Sequence, residues 1–215
     1  MKKIALTTCV LTVLLCLSAM VDARMIAGQA PAPDASALKE GDVIFQKSHS
    51  AQSQALKLAT GSDYTHCGIL LRHDGGLRVF EAANTVRWTP LKEWIQRGIE
   101  SHYVIMRLRT NKVLPPAAVE CMRKSVGLYA GKPYDMLFQW SDDKMYCSEL
   151  VWKLYKRCAG IELGRLRSFY DYNLDHKAVQ ALIRARYGRE LPAAEKVIAP
   201  SDMMNSGLLE VVDKN

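Results

Sequence analysis

Cys147 opens the segment CSELVWKLYKRCAG, in which Cys147, Leu150, Val151, Leu154, Tyr155 and Cys158 recur on one face at helical spacing and Gly160 closes the run. A thiol at the head of a helix sits against backbone N–H groups that have no partner within the helix. Their partial positive charge favours the thiolate and lowers the thiol's pKa. The same groups are placed to hold the oxyanion of a tetrahedral intermediate, so one element can supply nucleophile and oxyanion hole together. A thiol nucleophile also needs an imidazole to take and return its proton. His66, the first residue of the apolar run HCGILLR, is the candidate.

The spacing around His66 supplies a third group. HCGILLR and LRVFEA are strand-like runs separated by HDGG, whose Asp74-Gly75 core is a two-residue hairpin signal. With that turn, His73 pairs with Gly76, Gly68 faces Glu81 and His66 faces Ala83. Glu81 becomes a diagonal neighbour of His66 on the same face, roughly 7 to 8 Å away between backbones, and Gly68 leaves room between them. A carboxylate there orients the imidazole and stabilises its protonated form, which makes Cys147, His66 and Glu81 a catalytic triad. Asp63, His49 and Asn84 rank below Glu81 as orienting groups. Tyr64, on the His66 face, and Tyr146, just before the nucleophile, offer hydroxyls to an oxyanion site, although core or surface positions are the simpler reading of both. Cys67 projects to the face opposite His66 and is assigned to the core, as are Cys121 and Cys158.

Positioning these groups requires a mixture of strands and helices. GDVIF (41–45) and HYVIMRLR (102–109) read as further strands, and residues 50–59 as a polar helix. TPLKEWIQRG (89–98) reads as a short helix with Thr89 as N-cap, Pro90 at the first position and Gly98 past the end. A helix follows over 115–129, with Ala118, Val119, Met122, Val126 and Tyr129 as its apolar stripe; PYDMLFQWSDDKM then leads as a loop into the Cys147 helix.

The chain of 215 residues suits one domain. Residues 1–23 join Lys2 and Lys3 to an apolar stretch and then to the small residues Val21 and Ala23, the pattern of a cleaved secretory signal. The apolar run from Ile4 to Met20 is interrupted by threonines and short for a membrane span, and Leu15 ahead of Cys16 does not suit a lipoprotein signal. Residues 24–37, rich in Ala, Pro and Gly, read as a flexible leader to a domain over 38–215. Cleavage lowers the formal charge from +7 to about +6. A basic surface suits an envelope of anionic polymers, and no basic patch interleaved with aromatics points to nucleic acid. No stable membrane span is expected in the mature protein. Four cysteines remain, an even number that could form two disulfides. A free Cys147 limits the others to one bridge, and none is expected. The spacing offers no CxxC pair and no zinc-ligand pattern, so neither metal nor cofactor is expected.

The order GDVIF, SDYTHCGI, VFEA, GKPYD and MYCSELVWKLY, with the closing PSDMMNSGLLEVV, resembles the permuted papain-like amidases, the YiiX/YaeF group within the NlpC superfamily of cysteine hydrolases. The likeness runs from about Leu38 to the chain end. Ordinary members place cysteine before histidine; here His66 comes first, as in the circularly permuted branch. The resemblance implies an α+β fold in which a small antiparallel sheet or barrel packs on the Cys-bearing helix. It also implies Cys147 as nucleophile, His66 as base and Glu81 as the polar third member. The expected function is an exported, periplasmic or secreted thiol hydrolase. It would cleave an amide or isopeptide bond, in a cell-wall peptide or related amide, through a Cys147 thioacyl intermediate. A lipid-directed thiol acyltransferase or esterase would use the same triad with an apolar groove and a lipid-derived substrate. A non-catalytic envelope binding protein would need no reactive thiol.

Overall fold

The computed structural model describes residues 33–109, 113–188 and 190–215. The signal segment and most of the leader therefore lie outside the described residues. Of the leader, the Asp34 N–H donates to Asp213 at 3.2 Å and the Ala37 carbonyl accepts from Arg107 at 2.7 Å.

The hairpin is the organising unit. Asp74 and Gly75 both have positive φ, 48° and 81°, as a two-residue turn matching the strand twist requires. It joins β2 (His66–His73) to β3 (Gly76–Ala82) with His73 opposite Gly76 and Ile69 opposite Phe80, the register expected from the turn. β1 (Val43–Gln46) lies on the other side of β2 and pairs in turn with β5 (Tyr103–Leu108). Two further strands extend the sheet: β4 (Val86–Pro90) beyond β3, and β6 (Leu209–Lys214) beyond β5. The result is an open six-stranded antiparallel sheet in the order β4-β3-β2-β1-β5-β6, not a barrel.

β4 corrects the reading of residues 89–98. Thr89 is not a helix cap; it pairs with Val79 in the sheet, and the helix α2 spans only Leu91–Arg97 behind Pro90, which makes no side-chain cap bond. Pro90 is tolerated because it ends an edge strand, where a missing N–H costs no ladder bond. The polar helix α1 (Ala51–Thr60) begins where expected, with the Ser50 hydroxyl accepting from the Ser53 N–H.

The sheet's two faces divide the remaining elements. Phe45, Cys67, Ile69, Phe80 and Met106 face α3 (Pro116–Tyr129) and α4 (Cys147–Ala159), packing against Met122, Leu150, Val151 and Leu154. Ile44, Leu70, Val79 and Ile105 face the opposite way and are covered by Trp94 and Ile95 of α2. A satellite cluster of Phe169, Leu191 and Val197 lies under α5 (Lys177–Tyr187), and α6 (Pro200–Met204) leads into β6.

α3 and α4 are joined by a disulfide between Cys121 and Cys158, whereas none was expected. Cys158 lies on the apolar stripe of α4 and Cys121 beside that of α3, and spacing along either helix does not show that the two meet. Only the packing of the two helices against each other reveals it. The bridge closes a separation of 37 residues, for which chain entropy gives about 4 kcal/mol of stabilisation. Cys121→Ser should therefore lose roughly 2–4 kcal/mol in a denaturant titration while keeping its substrate turnover below the melting transition. A loss under 0.5 kcal/mol would show that the bridge does not constrain the fold.

Candidate active site

Cys147 is the first residue of α4 and is buried with a free thiol. The turn that precedes it is tied down from two directions. The Tyr146 N–H donates to the Glu149 carboxylate at 3.3 Å, closing the helix start, and the Tyr146 hydroxyl accepts the Ile198 N–H at 3.3 Å. The Ser148 hydroxyl donates to the Ile198 carbonyl at 2.7 Å. The N–H groups of the first helical turn have no partner within α4 and remain available for a developing negative charge.

The structure brings His66 and Glu81 together: Nε2 of His66 lies 2.5 Å from Oε2 of Glu81. Gly68 separates them as the register requires. A Cβ at Gly68 would meet Val79 Cγ1 at 2.4 Å and Glu81 Cβ at 3.3 Å. Glu81 is fully buried and also accepts from Thr89 Oγ1 at 2.6 Å, from Trp94 Nε1 at 2.9 Å and from the Arg97 guanidinium. The Trp94 ring stacks beside His66, with centroids 5.7 Å apart. Burial raises the Glu81 pKa, but the bonds from His66 and Arg97 outweigh it and hold the carboxyl well below the ordinary carboxylate range.

Electrostatics link the three groups. Burial favours neutral imidazole, yet hydrogen bonding to Cys147 and to Glu81 prevails and lifts the His66 pKa to about 9. The Cys67 thiol, placed to donate to the Cys147 sulfur, is the largest influence lowering the Cys147 pKa. Burial opposes it, while the His66 imidazole and the Cys67 backbone N–H reinforce it, leaving Cys147 well below an ordinary thiol. Cys67 itself is pushed up, first by burial and then by Cys147. These directions favour a Cys147 thiolate beside a His66 imidazolium, with Cys67 as a neutral S–H donor.

Cys67 is therefore more than core filling. Strand alternation places it on the face against which α4 packs, next to Cys147, while His66, at the first position of β2, reaches the same sulfur from the strand's end. The lower-ranked orienting groups lie elsewhere. Asp63 pairs with Lys57 at 2.5 Å and Lys47 at 3.6 Å, His49 is exposed, and Asn84 contributes its carbonyl to the Tyr134 N–H. Tyr64 bonds His102 at 3.0 Å. A hydroxyl that feels Cys147 is instead that of Tyr134, whose pKa is raised by burial and then by the Cys147 charge. It accepts from Gln52 at 2.8 Å, which leaves its proton free to donate. Sequence spacing gave no signal for Tyr134, because it lies in a loop held by the single bridges Thr85–Pro133 and Tyr134–Met145.

Residues 37–213 match the family model of the permuted papain-like amidase enzymes, YaeF/YiiX, C92 family. The chain belongs to this family. It is a cysteine hydrolase of the amidase type, and the α+β architecture with an antiparallel sheet on the Cys-bearing helix is that of the permuted papain-like fold. The chain is 40% identical to the uncharacterized protein YiiX of Escherichia coli (strain K12) over 174 residues, which covers 81% of this chain and 85% of YiiX. It is also similar to a crystal structure described as metalloprotein yiiX from Escherichia coli O157:H7, DUF1105, with a TM-score of 0.78 and 40% identity, covering 82% of this chain and 97% of that one. Among the described residues of this amidase, no group of three or more His, Cys, Asp or Glu side chains comes together to hold a metal ion. His66 and Glu81 are already committed to each other and do not form a metal-ligand set. Among the described residues, no helix is long and apolar enough to cross a membrane.

The ion pair dictates a pH profile. Thiolate forms on the acid side, and on the alkaline side the required imidazolium is lost as pH rises through about 9, so kcat/KM should be bell-shaped with its upper limb there. Glu81→Gln removes the anion that stabilises imidazolium, so the upper limb should move down, by roughly 1–3 units. The rate should fall less than in His66→Ala. An upper limb unmoved in Glu81→Gln would show that the carboxylate does not set the imidazole's charge.

Proposed function

We propose that Cys147 is the nucleophile of this amidase, with His66 as acid and base and Glu81 as the residue that orients and charges His66. The observation that carries the reading is the Cys147–His66–Glu81 chain at the head of α4, with each group's protonation state set by the next. The thiolate attacks the amide carbonyl carbon. The N-terminal N–H groups of α4 and the Tyr134 hydroxyl are placed to hold the resulting oxyanion. His66 delivers its proton to the amine nitrogen as the C–N bond breaks, leaving a thioester on Cys147. Water, deprotonated by the now neutral His66, attacks the thioester; the acid is released, and the thiolate–imidazolium pair is restored.

We place this chemistry in the cell envelope, on cell-wall peptides or related amides, after export through the signal in residues 1–23. The composition of that segment supports export, and the Cys121–Cys158 bridge suits an oxidising compartment.

Cys147→Ala and Cys147→Ser should fold with wild-type circular dichroism and lose turnover by about 10⁴-fold or more on an amide substrate. Cys67→Ala should keep turnover but shift the acid limb of kcat/KM to higher pH, because it removes a donor to the thiolate. Turnover in Cys147→Ala above a tenth of wild type would overturn the assignment.

A further inference from the structure

Cys147 also forms one wall of a cleft that the triad leaves unused. The cleft runs from the head of α4 between α1 and α5, and its lining is almost wholly apolar. Leu56 and Ala59 come from α1, Leu182 and Ile183 from α5, and Phe169 and Val197 from the segments beyond. α5 packs on α1, yet Leu182 and Ile183 stay only half-buried. An apolar helix face is thus left partly uncovered beside the nucleophile, which favours an apolar occupant.

The polar groups around the cleft point to the same occupant. Arg186 donates to Gln52 Oε1 at 2.7 Å and to the Met136 carbonyl at 3.0 Å, and Gln52 donates to Tyr134. The Tyr187 and Tyr172 hydroxyls are bound to the Leu137 carbonyl and the Asp202 carboxylate, and Ser148 to the Ile198 carbonyl. Each of these groups already holds a partner within the protein, and a peptide's amides would have to compete for those bonds, whereas an apolar chain leaves them in place. The Tyr134 and Tyr146 hydroxyls, on two residues that line the cleft with Cys147, act only as acceptors and keep their protons free.

Resting on the amidase reading of Cys147, we infer that this cleft holds the acyl part of the substrate and that this part is an aliphatic chain. Of the cell-wall peptides and related amides in that reading, the cleft selects a related amide, that of a fatty acyl group. The acyl part is assigned to the cleft because it stays on the sulfur through the thioester while the amine departs. A cavity of about 100 Å³ holds the first carbons of such a chain and leaves later ones outside.

The test uses the mature enzyme and 7-amino-4-methylcoumarin amides of linear acids from acetyl to dodecanoyl. kcat/KM should rise about three- to fourfold for each methylene that enters the cleft and then flatten within the series, since later carbons lie outside it. In Ala59→Trp the octanoyl-to-acetyl ratio of kcat/KM should collapse towards one. Turnover of the acetyl amide with no gain on lengthening would overturn the acyl cleft and leave the amidase reading standing. A gain seen only with N-alkyl acetamides would overturn the orientation. If no amide is turned over while Cys147 still alkylates rapidly, the substrate reading fails. Decanoic acid binding to Cys147→Ala, measured by calorimetry, then decides the cleft separately: binding abolished by the added Ala59→Trp upholds it, and no binding overturns it.

Discussion

The site depends on a carboxylate with no exposure to water. An ionised Glu81 in the sheet interior is costly unless every lone-pair direction is matched, and removing a partner from such a group is strongly destabilising. Here the donors come from three elements: His66 on β2, Thr89 on β4, and Trp94 and Arg97 on α2. One anion therefore fixes β4 against β3, seats α2 on the sheet and orients the imidazole. Because Arg97 and His66 together keep Glu81 charged, the negative charge that sustains imidazolium is built into the fold before substrate arrives.

The opposite face of the sheet supplies the thiol. α4 lies across Cys67, Ile69 and Phe80, and its apolar stripe brings Cys147 to the end of β2, where His66 meets it. The sheet thus separates two jobs: charge is anchored on the α2 side and used on the α4 side, with His66 passing between them at the strand's end. The Cys121–Cys158 bridge ties α4 to α3 near the other end of α4, away from the Cys147 sulfur. A helix head held by Tyr146, Ser148 and Glu149 bonds leaves the sulfur little freedom, which suits attack on a carbonyl placed at van der Waals distance.

What could be read from the sequence was local. The Asp74-Gly75 turn admits one register, and that register sets Gly68 opposite Glu81, so the His66–Glu81 contact was legible from six residues. The helix beginning at Cys147 was legible from its stripe and from Gly160. β4 was not, because Pro90 and Thr89 carry helix-start signals as strong as any strand signal in VRWTP, and only pairing with β3 decides between them. The disulfide, the contact of Cys67 with Cys147, and the Tyr134 hydroxyl all join elements far apart in sequence. Periodicity assigns a side chain to a face but does not say which other face will meet it. For the same reason the cleft was invisible: its walls come from α1, α5 and the segments around Phe169 and Val197, and α5 itself was not foreseen.

In the proposed chemistry, Glu81-anchored imidazolium holds Cys147 as thiolate in the resting enzyme. The pH dependence of Cys147 alkylation by iodoacetamide, followed by intact mass in the wild type and in His66→Ala, measures this directly. The wild-type midpoint should lie well below the ordinary thiol range, with Cys147 the site modified, and His66→Ala should return it to that range or above. A wild-type midpoint already at an ordinary thiol value, unchanged by His66→Ala, would contradict the account.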